Sequence, residues 1–586
     1  MMKLVALASV VLLMAAAPDV STGEAARVAI QHEGRVKPFD TFARQLMQYL
    51  SEKERFRGYS DPETGSWVDV FPEGDPVAAV LKMIADPRSV HAQRFIKIGH
   101  PGLKAHFGLE AGRTYFSLKD LEPARDKMIA EARQIDEDAA TSEQRATMKI
   151  VHQFMTIESL YQERILTIFP IPYGENRTWA TPVEVRMWLD GHAPAGGRAQ
   201  ECHAALTAFA AADASRRSRL QAALDHYSAA LDSLRNGDTS RFAGLANELR
   251  ALNPEAFPSE RRLAVELKYN RVHPFHIASG VFFLGAIAFL MALVFKSTKT
   301  WIAALIVHAG ALGLCGYGYA LRWIIADRYP LSNHYESMIM CAIGASLLAG
   351  VLELIMRPKA VIGLGGSIVA SLLLVLANNV PAFAEQGFVA PLVPALQTVW
   401  MTIHVPIIMT GYAMGMLLMV MGHLYLVGYL KSGSTVDEFL DRVMRMVLQL
   451  TVLFLLFGII LGAVWAGEAW GRPWGWDMKE TWALITLLCY LAILHGRFLG
   501  ALRTFGTAIA SLGAFQILIL TYYGVNFLFG KGLHTYGFGA GEVWPLIVFF
   551  IAEAVFAGVC LAVHLKRGGT DKPATETHDM IAPGGT

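Results

Sequence analysis

The chain has 586 residues, of which 53% are hydrophobic and 17% are charged, and its formal net charge is +1. This balance, without any basic tract, excludes the strongly cationic surface that is typical of nucleic-acid-binding proteins. The apolar residues are too numerous for a soluble chain and are concentrated after residue 275, so the sequence predicts a soluble first half and a polytopic membrane half.

The cysteine residues are widely separated along the chain. No two of them have the short spacing of a zinc site, and four fall within predicted membrane helices, which argues against a disulfide framework. There is also no CxxCH motif, so the chain is not itself a c-type cytochrome. The five cysteines are Cys202, Cys315, Cys341, Cys489 and Cys560.

Residues 1–22 have the pattern of a targeting segment. Lys3 is followed by a mostly apolar stretch, residues 4–17, and then by Pro18. A stretch of this length is typical of a secretory signal peptide and is short for a membrane span. The sequence thus predicts either a signal peptide or an uncleaved N-terminal anchor, and both place the following residues outside the cytoplasm.

Residues 23–272 are expected to form a mostly helical extracytoplasmic domain. Residues 124–168 and 199–252 are rich in Ala, Leu, Glu, Arg and Gln, with apolar positions at helical spacing. Residues 59–74 are interrupted by Gly, Pro and Asp, which predicts a loop. No catalytic motif is evident in this half, and a docking or scaffolding role is the simplest interpretation.

From residue 273 to residue 568 the sequence predicts an all-α, polytopic bundle of about nine membrane-spanning helices. Each apolar run is long enough to cross the roughly 30 Å of bilayer hydrocarbon. Residues 569–586 are expected to form a flexible cytoplasmic tail. The predicted spans are 275–295, 301–325, 335–355, 360–378, 398–429, 447–467, 482–499, 504–528 and 543–565.

The distribution of basic residues indicates the orientation of these spans. If the first span starts outside, nine crossings end inside, and lysine and arginine are then concentrated at the inner loops and span ends, as the positive-inside rule requires. The sequence therefore predicts a multi-pass protein of the bacterial inner membrane with a periplasmic N-terminal domain and a cytoplasmic C-terminus. The inner residues are Lys296, Lys299, Arg357, Lys359, Lys431, Arg442, Arg445, Arg497, Arg503, Lys566 and Arg567, and the outer ones are Arg322, Arg328, Arg472, Lys479 and Lys531.

The most unusual stretch is a tryptophan-rich segment, residues 464–482, which is predicted to form an outer loop and its borders. Interfacial tryptophans are ordinary in membrane proteins, but such belts place one or two aromatic residues at each helix end. Here the tryptophans alternate with Gly and Pro, which favours a shaped surface against a large planar ligand. They are Trp465, Trp470, Trp474, Trp476 and Trp482.

Two histidines are expected at the outer face beside this segment. His404 is about six residues inside its span, roughly 9 Å deep at the helical rise, and His534 lies in the next outer loop. Each alone is readily explained as a structural or interfacial residue. Together with the tryptophans they suggest axial ligation of a haem, because imidazole is a common iron ligand.

A third histidine, His495, is expected near the inner side of the membrane. It follows Trp482 by thirteen residues, roughly 20 Å of helix. An ionisable group at that depth is a functional candidate. His308 and His423 have similar predicted depths and could belong to a second, inner site, although helix packing or snorkelling is the simpler interpretation of each.

These motifs together resemble the WWD domain and flanking segments of the CcsA (ResC) family of system II cytochrome c biogenesis. The similarity covers the membrane half. Residues 34–41 also resemble the stretch that precedes the CcsA part in fused CcsBA synthases. The segments that carry the resemblance are 465–477 with 479–486, 329–336, His404 with 411–413, and 494–497.

The resemblance implies that haem b is the ligand and that iron has several histidine ligands in this chain. His404 and His534 match the outer pair, and His495 matches the histidine that receives haem within the membrane. The second ligand to that inner haem is expected from a ResB/CcsB-type membrane partner, with His308 as the alternative. The residues expected to hold the macrocycle are Trp465, Trp470, Trp474, Trp476 and Asp477.

The resemblance also implies a function. The chain would be the system II holocytochrome c synthase component, which moves haem to the outer face and attaches it to apocytochrome c at CxxCH. Two alternatives remain open from the sequence. One is a haem exporter or chaperone that presents haem to a separate synthase, and the other is a quinol-linked dihaem redox protein.

Overall fold

The computed structural model describes residues 23–136, 140–175, 177–192, 197–234, 236–356, 360–432, 438–528, 534 and 543–568. The predicted signal or anchor segment, the C-terminal tail, Arg357, Lys359 and Lys531 lie outside these residues. Within them the protein is helical, with four short two-stranded antiparallel ribbons. This confirms the all-α, polytopic prediction.

The first half, up to residue 272, is built around one hydrophobic core that draws on residues from Ala25 to Leu252. Short 3₁₀ turns join several of its elements. The strands are β1 Ala29–His32, β2 Arg35–Pro38, β3 Gly58–Ser60, β4 Trp67–Asp69, β5 Ile96–Lys97, β6 Tyr115–Phe116, β7 Phe169–Tyr173 and β8 Thr178–Ala180. The helices are α1 Phe39–Ser51, α2 Pro76–Ala85, α3 Pro87–Val90, α4 Pro101–His106, α5 Leu118–Leu121, α6 Arg125–Ala132, α7 Ser142–Tyr161, α8 Pro182–Leu189, α9 Gly197–Ala211, α10 Arg216–Leu234, α11 Arg241–Leu252 and α12 Glu260–Val272.

Local sequence explains several of these elements. Strands β1 and β2 are joined by Glu33 and Gly34, which both have positive φ (51° and 76°), as a tight hairpin turn requires. Helices α7 and α8 begin with capping boxes formed by Thr141 and Thr181. The loop predicted for residues 59–74 is wrong in part, because β3 pairs with β4 there and the Gly and Asp residues form the turn between them.

The second half contains long apolar helices. Among the described residues, nine helices are long and apolar enough to cross a membrane, as the sequence predicted. The eighth span joins α21 to α22 through a π-helical turn at Leu520–Gly524. These helices are α13 Pro274–Phe295, α14 Thr298–Ala326, α15 His334–Met356, α16 Val361–Asn379, α18 Val399–Ser432, α19 Glu438–Trp470, α20 Met478–Phe498, α21 Thr504–Ile519, α22 Val525–Phe527 and α23 Trp544–Lys566, with the short α17 Pro381–Ala384 between spans.

Two features near the span ends were not predicted, namely the burial of Arg322 and the early start of helix α19. Arg322 lies inside α14, fully buried, and its Nε donates to Glu336 at 2.8 Å. Helix α19 begins nine residues before its predicted start because its polar first turns are stabilised by pairing, with Arg497 donating to Asp441 at 2.7 Å. Buried ions of this kind are tolerated when they are paired and hydrogen-bonded.

The β1–β2 hairpin joins the two halves of the molecule. Arg35 donates to Glu266 of α12 and, through Nε, to the carbonyl oxygen of Val389 at 2.9 Å. Arg262 of α12 donates to the carbonyl of Ile325 in α14 at 2.7 Å. The first half is therefore anchored on the connection that leads into α18, the helix that carries His404.

Candidate functional site

A cavity lies where the N-terminal turns of α15, α18 and α20 meet the C-terminal turns of α19 and the π-helical turn. Its empty volume is about 1020 Å³, which includes space open to solvent. Most of its wall is apolar. The polar and aromatic side chains that line it include His334, His404, Trp465, Trp474, Lys479 and His534. Four of the eight predicted cofactor-binding residues are thus brought together here.

His404 is held in one orientation by helix α19. Its Nδ1 donates to the carbonyl oxygen of Gly458 at 2.8 Å, which leaves the Nε2 lone pair available as a ligand. Gly462, one turn further on, faces the same ring, and a Cβ at this position would lie 2.8 Å from His404 Cε1. The two glycines therefore let α19 approach α18 closely enough to seat the imidazole.

His534 is held by a carboxylate. Its Nδ1 is hydrogen-bonded to Asp477, so Nε2 carries the lone pair and has no hydrogen-bond partner among the described residues. Asp477 in turn caps α20 by accepting from the backbone N–H of Glu480 at 2.9 Å. Burial acts to raise the pKa of Asp477, but the hydrogen bonds from His534 and from the helix N-terminus outweigh it and keep this pKa below its usual value. This is the arrangement by which carboxylates orient metal-ligating histidines.

The Trp465 ring contacts both histidines. It is 2% exposed and is parallel to that of His404 within 3°, with the centroids 6.2 Å apart. The ring of His534 packs edge to face against two tryptophan rings, with its centroid 5.5 Å from that of Trp465 and 4.6 Å from that of Trp470. The two imidazoles are therefore fixed against one aromatic cluster.

The rest of the tryptophan-rich segment differs from the prediction. Residues 464–470 belong to helix α19, and only Gly471–Asp477 form a loop. Trp474 lines the cavity, and its buried Nε1 has no hydrogen-bond partner among the described residues. Trp476 is 70% exposed, with a positive φ of 57°, and packs against Trp474. Trp470, Trp476 and Asp477 are not among the residues that line the cavity. They contact His534 or Trp474 instead.

His495 is remote from the cavity. It lies near the C-terminal end of α20, roughly 26 Å along the helix from Met478. Its Nδ1 donates to the carbonyl of Leu491 at 2.8 Å, and the side chain is exposed on the outer surface of the bundle. Its Nε2 is thus directed away from the helix backbone and is accessible from outside this chain.

The other two inner histidines have partners within the bundle. His308 is buried, and its ring nitrogens contact Ser367 Oγ at 2.8 Å and the carbonyl oxygen of Ser346 at 2.9 Å. His423 faces Glu553 of α23 at 3.3 Å. These contacts agree with the helix-packing interpretation of both residues.

Two polar residues of the cavity wall were missed by the sequence analysis. His334 is 8% exposed, and its Nδ1 has no hydrogen-bond partner among the described residues. Lys479 donates to the carbonyl oxygen of Thr521 at 3.0 Å. Both lie in segments that carry the family resemblance, but the sequence does not reveal that they face the same cavity as His404.

Asp477, Glu480 and His534 also place one ligand atom each within 4.8 Å of one another, which would permit a simple metal ion. Both carboxylates are already used at the start of α20. Glu480 accepts from the backbone N–H of Gly475 at 2.6 Å, and Asp477 holds His534. The cluster is therefore explained by helix capping and histidine orientation.

Comparison with known proteins gives a consistent result. Residues 331–534 match the family of cytochrome C assembly proteins. The chain is 33% identical over 302 residues to the cytochrome c biogenesis protein CcsA of Guillardia theta, covering 45% of this chain and 96% of that protein. It is 32% identical over 306 residues to CcsA of Thermosynechococcus vestitus, covering 44% of this chain and 95% of that protein.

A further relative is similar along most of the chain. Protein NrfI of Wolinella succinogenes is 25% identical over 533 residues, which cover 86% of this chain. The chain spans about half of that protein, 53% of its length. The similarity therefore extends beyond the membrane half into the first 272 residues.

Proposed function

Because the chain belongs to the CcsA family of cytochrome c biogenesis proteins, we propose that it binds haem b in the cavity and promotes its attachment to apocytochrome c. In this proposal His404 and His534 are the axial ligands of the iron. The acceptor is a CxxCH segment, as in system II biogenesis. Haem is the substrate, and the chain is the synthase component.

The observation that carries the proposal is the hydrogen bonding of the His404 and His534 imidazoles. Each donates through Nδ1 to a fixed acceptor, Gly458 or Asp477, and in the part of the chain that the structure describes neither Nε2 has a hydrogen-bond partner. Both line one largely apolar cavity together with Trp465 and Trp474. This donor set suits low-spin haem iron, and the apolar wall suits a porphyrin.

The chemistry of attachment needs positioning more than proton transfer. Each thioether forms by addition of a cysteine S–H across a haem vinyl group, so sulfur bonds to one carbon and the proton ends on the other without loss of electrons. An incoming CxxCH histidine that displaces His534 would bring its cysteines to the haem edge. Holding the two reactants together in this way lowers the activation free energy by several kcal/mol, on the order of 7–11 kcal/mol in favourable cases.

His495 is proposed to bind a second haem on its way to the cavity. Its exposed position, with Nε2 accessible, favours a site completed by a ResB/CcsB-type subunit. His308 is the weaker candidate for the second ligand, because both of its ring nitrogens already have partners. Exposed Leu488 and Phe498 on the same helix would lie against lipid or this partner.

The orientation is proposed from the same arrangement. The cavity would face the periplasm, the first half of the chain would lie on that side, and His495 would lie towards the cytoplasm. The protein would then be a multi-pass component of a bacterial inner membrane. Its first half, anchored through Arg35 to the connection before α18, would serve as a docking domain.

The test is the haem spectrum of the full chain purified with and without a ResB-type subunit. Without the partner, we expect a low-spin bis-histidine spectrum that His404→Ala and His534→Ala abolish and added imidazole restores. His226→Ala, which removes an exposed histidine of α10, is the control and is expected to change nothing. His495→Ala is expected to remove only the second haem, which is bound when the partner is present. Unchanged spectra in both cavity variants would overturn the ligand assignment.

A further inference from the structure

Lys479 is an unusual residue for its position. It lies in the first turn of α20, where the helix dipole disfavours a cation, and it lines the cavity that holds His404 and His534. In the described part of the chain its side chain donates to the Thr521 carbonyl oxygen and lies 5.8 Å from the centroid of the Tyr522 ring, and it forms no ion pair. Burial of a cation without an ion pair is costly, so this position favours a ligand that carries negative charge.

The neighbouring carboxylates are engaged in other contacts. Asp477 is bonded to His534 and to the backbone of Glu480. Glu480 accepts from the backbone N–H groups of Gly475 and Asp477 through Oε2. Neither acid forms an ion pair with Lys479 among the described residues, although Glu480 Oε1 is buried there without a hydrogen-bond partner.

The π-helical turn fixes the ammonium group in place. The Thr521 carbonyl oxygen, which belongs to the π-helical turn Leu520–Gly524, accepts from Lys479 Nζ at 3.0 Å. The Thr521 side chain is itself tied to the carbonyl oxygen of Trp482 at 3.0 Å. An ammonium group has three N–H donors, so two remain for a ligand.

His334 lies on the same side of the cavity. Its ring centroid is 5.7 Å from that of Tyr522, the ring that Lys479 also contacts. The Tyr522 hydroxyl donates to the His334 carbonyl at 3.1 Å and holds the residue in place. The Nδ1 atom of His334 is buried and accepts or donates no hydrogen bond of normal geometry among the described residues, so a ligand that completes it would be favourable.

We propose that Lys479 and His334 form a carboxylate-binding end of the cavity that takes the propionates of haem. This inference rests on the proposed function and deepens it. Lys479 supplies the charge and His334 supplies a hydrogen bond, while the apolar wall covers the porphyrin. Because the propionates and the vinyl groups lie on opposite edges of haem b, the contact also turns the vinyl edge away from Lys479.

The test compares two ligands, iron protoporphyrin IX and its dimethyl ester, in which the propionate charges are removed. The wild-type full chain is expected to bind the free acid at least about tenfold more tightly, as a charge-assisted hydrogen bond allows. Lys479→Met is expected to lose this preference while its affinity for the ester is unchanged. Lys479→Arg is expected to retain it, and His334→Phe is expected to reduce it in part.

The ester serves as an internal control for folding, and Lys296→Met, an exposed lysine after α13, serves as the matched control for loss of a positive charge. Equal weakening of both ligands by Lys479→Met would overturn the proposal, because it would mean a structural role. An undiminished preference for the free acid in that variant would overturn it as well. Absence of any haem spectrum in the wild type would instead refute the proposed function. A His404-dependent spectrum without ester discrimination would refute only the carboxylate-binding end.

Discussion

Replacing Asp477 by asparagine isolates the contact that orients His534. Asparagine caps helices as well as aspartate, so its Oδ1 can keep the bond to the backbone N–H of Glu480, 2.9 Å in the wild type. Its NH₂ group then takes the place of the oxygen that accepts from His534 Nδ1. Two donors would face each other, and His534 must shift its proton to Nε2, the atom proposed to bind iron.

The expected loss of haem affinity is about 10–100-fold, the usual effect of removing a carboxylate behind a metal-bound histidine. This corresponds to about 1.4–2.7 kcal/mol. The assay is a haem titration followed by absorption, with thermal unfolding measured in parallel. The low-spin spectrum of Asp477→Asn is expected to weaken at limiting haem and to recover when imidazole is added.

A matched control is available at another helix cap. Asp75 caps α2 by accepting from Val77 N–H at 2.9 Å and lies in the first half of the chain. Asp75→Asn is expected to leave haem affinity unchanged. If Asp477→Asn binds haem within about twofold of the wild type at unchanged stability, the role assigned to this carboxylate is refuted.

Three further substitutions test the packing at the site, within the membrane bundle and between the two halves of the chain. Gly462→Ala should displace the His404 ring and weaken haem binding by about 1–3 kcal/mol, measured by titration. Gly428→Ala is the control, because a Cβ at that position would have no atom within 4 Å, and it should leave haem binding unchanged. Glu353→Gln should lower the unfolding free energy by about 2 kcal/mol without changing the haem spectrum, because this carboxylate accepts three backbone N–H groups at the start of α16. Arg35→Met should cost roughly 3–5 kcal/mol in chemical denaturation, since it leaves a buried carboxylate unpaired, and an unchanged midpoint would contradict the anchoring role.

The membrane bundle could be predicted from the sequence because hydropathy and span length are local properties. Most predicted span ends fall within a few residues of the observed ones. The exception is α19, whose polar first turns look like a loop in sequence and are stabilised by the contact between Asp441 and Arg497. The extent of the tryptophan loop was overestimated for a related reason, since Trp465 and Trp470 continue the apolar helix before the Gly–Pro-rich segment begins.

The composition of the site could be predicted only in part. His404, His534, Trp465 and Trp474 are brought to one cavity as expected, although their roles stay proposals. The hydrogen bond from Lys479 to the Thr521 carbonyl oxygen could not be predicted, because the π-helical turn that contains Thr521 has no sequence signature. Whether a buried polar atom has a partner depends on contacts between distant segments, and these are visible only in three dimensions.

The most direct test of the central claim is covalent attachment itself. The full chain, reconstituted with a ResB-type subunit and loaded with reduced haem, would be mixed with a CxxCH peptide or with its SxxSH counterpart. The proposal predicts that the CxxCH peptide alone gains the mass of haem, and that His404→Ala and His534→Ala abolish the gain until imidazole is supplied. Haem that remains bound, or passes to the peptide without a covalent bond, would contradict the synthase role and identify a haem carrier.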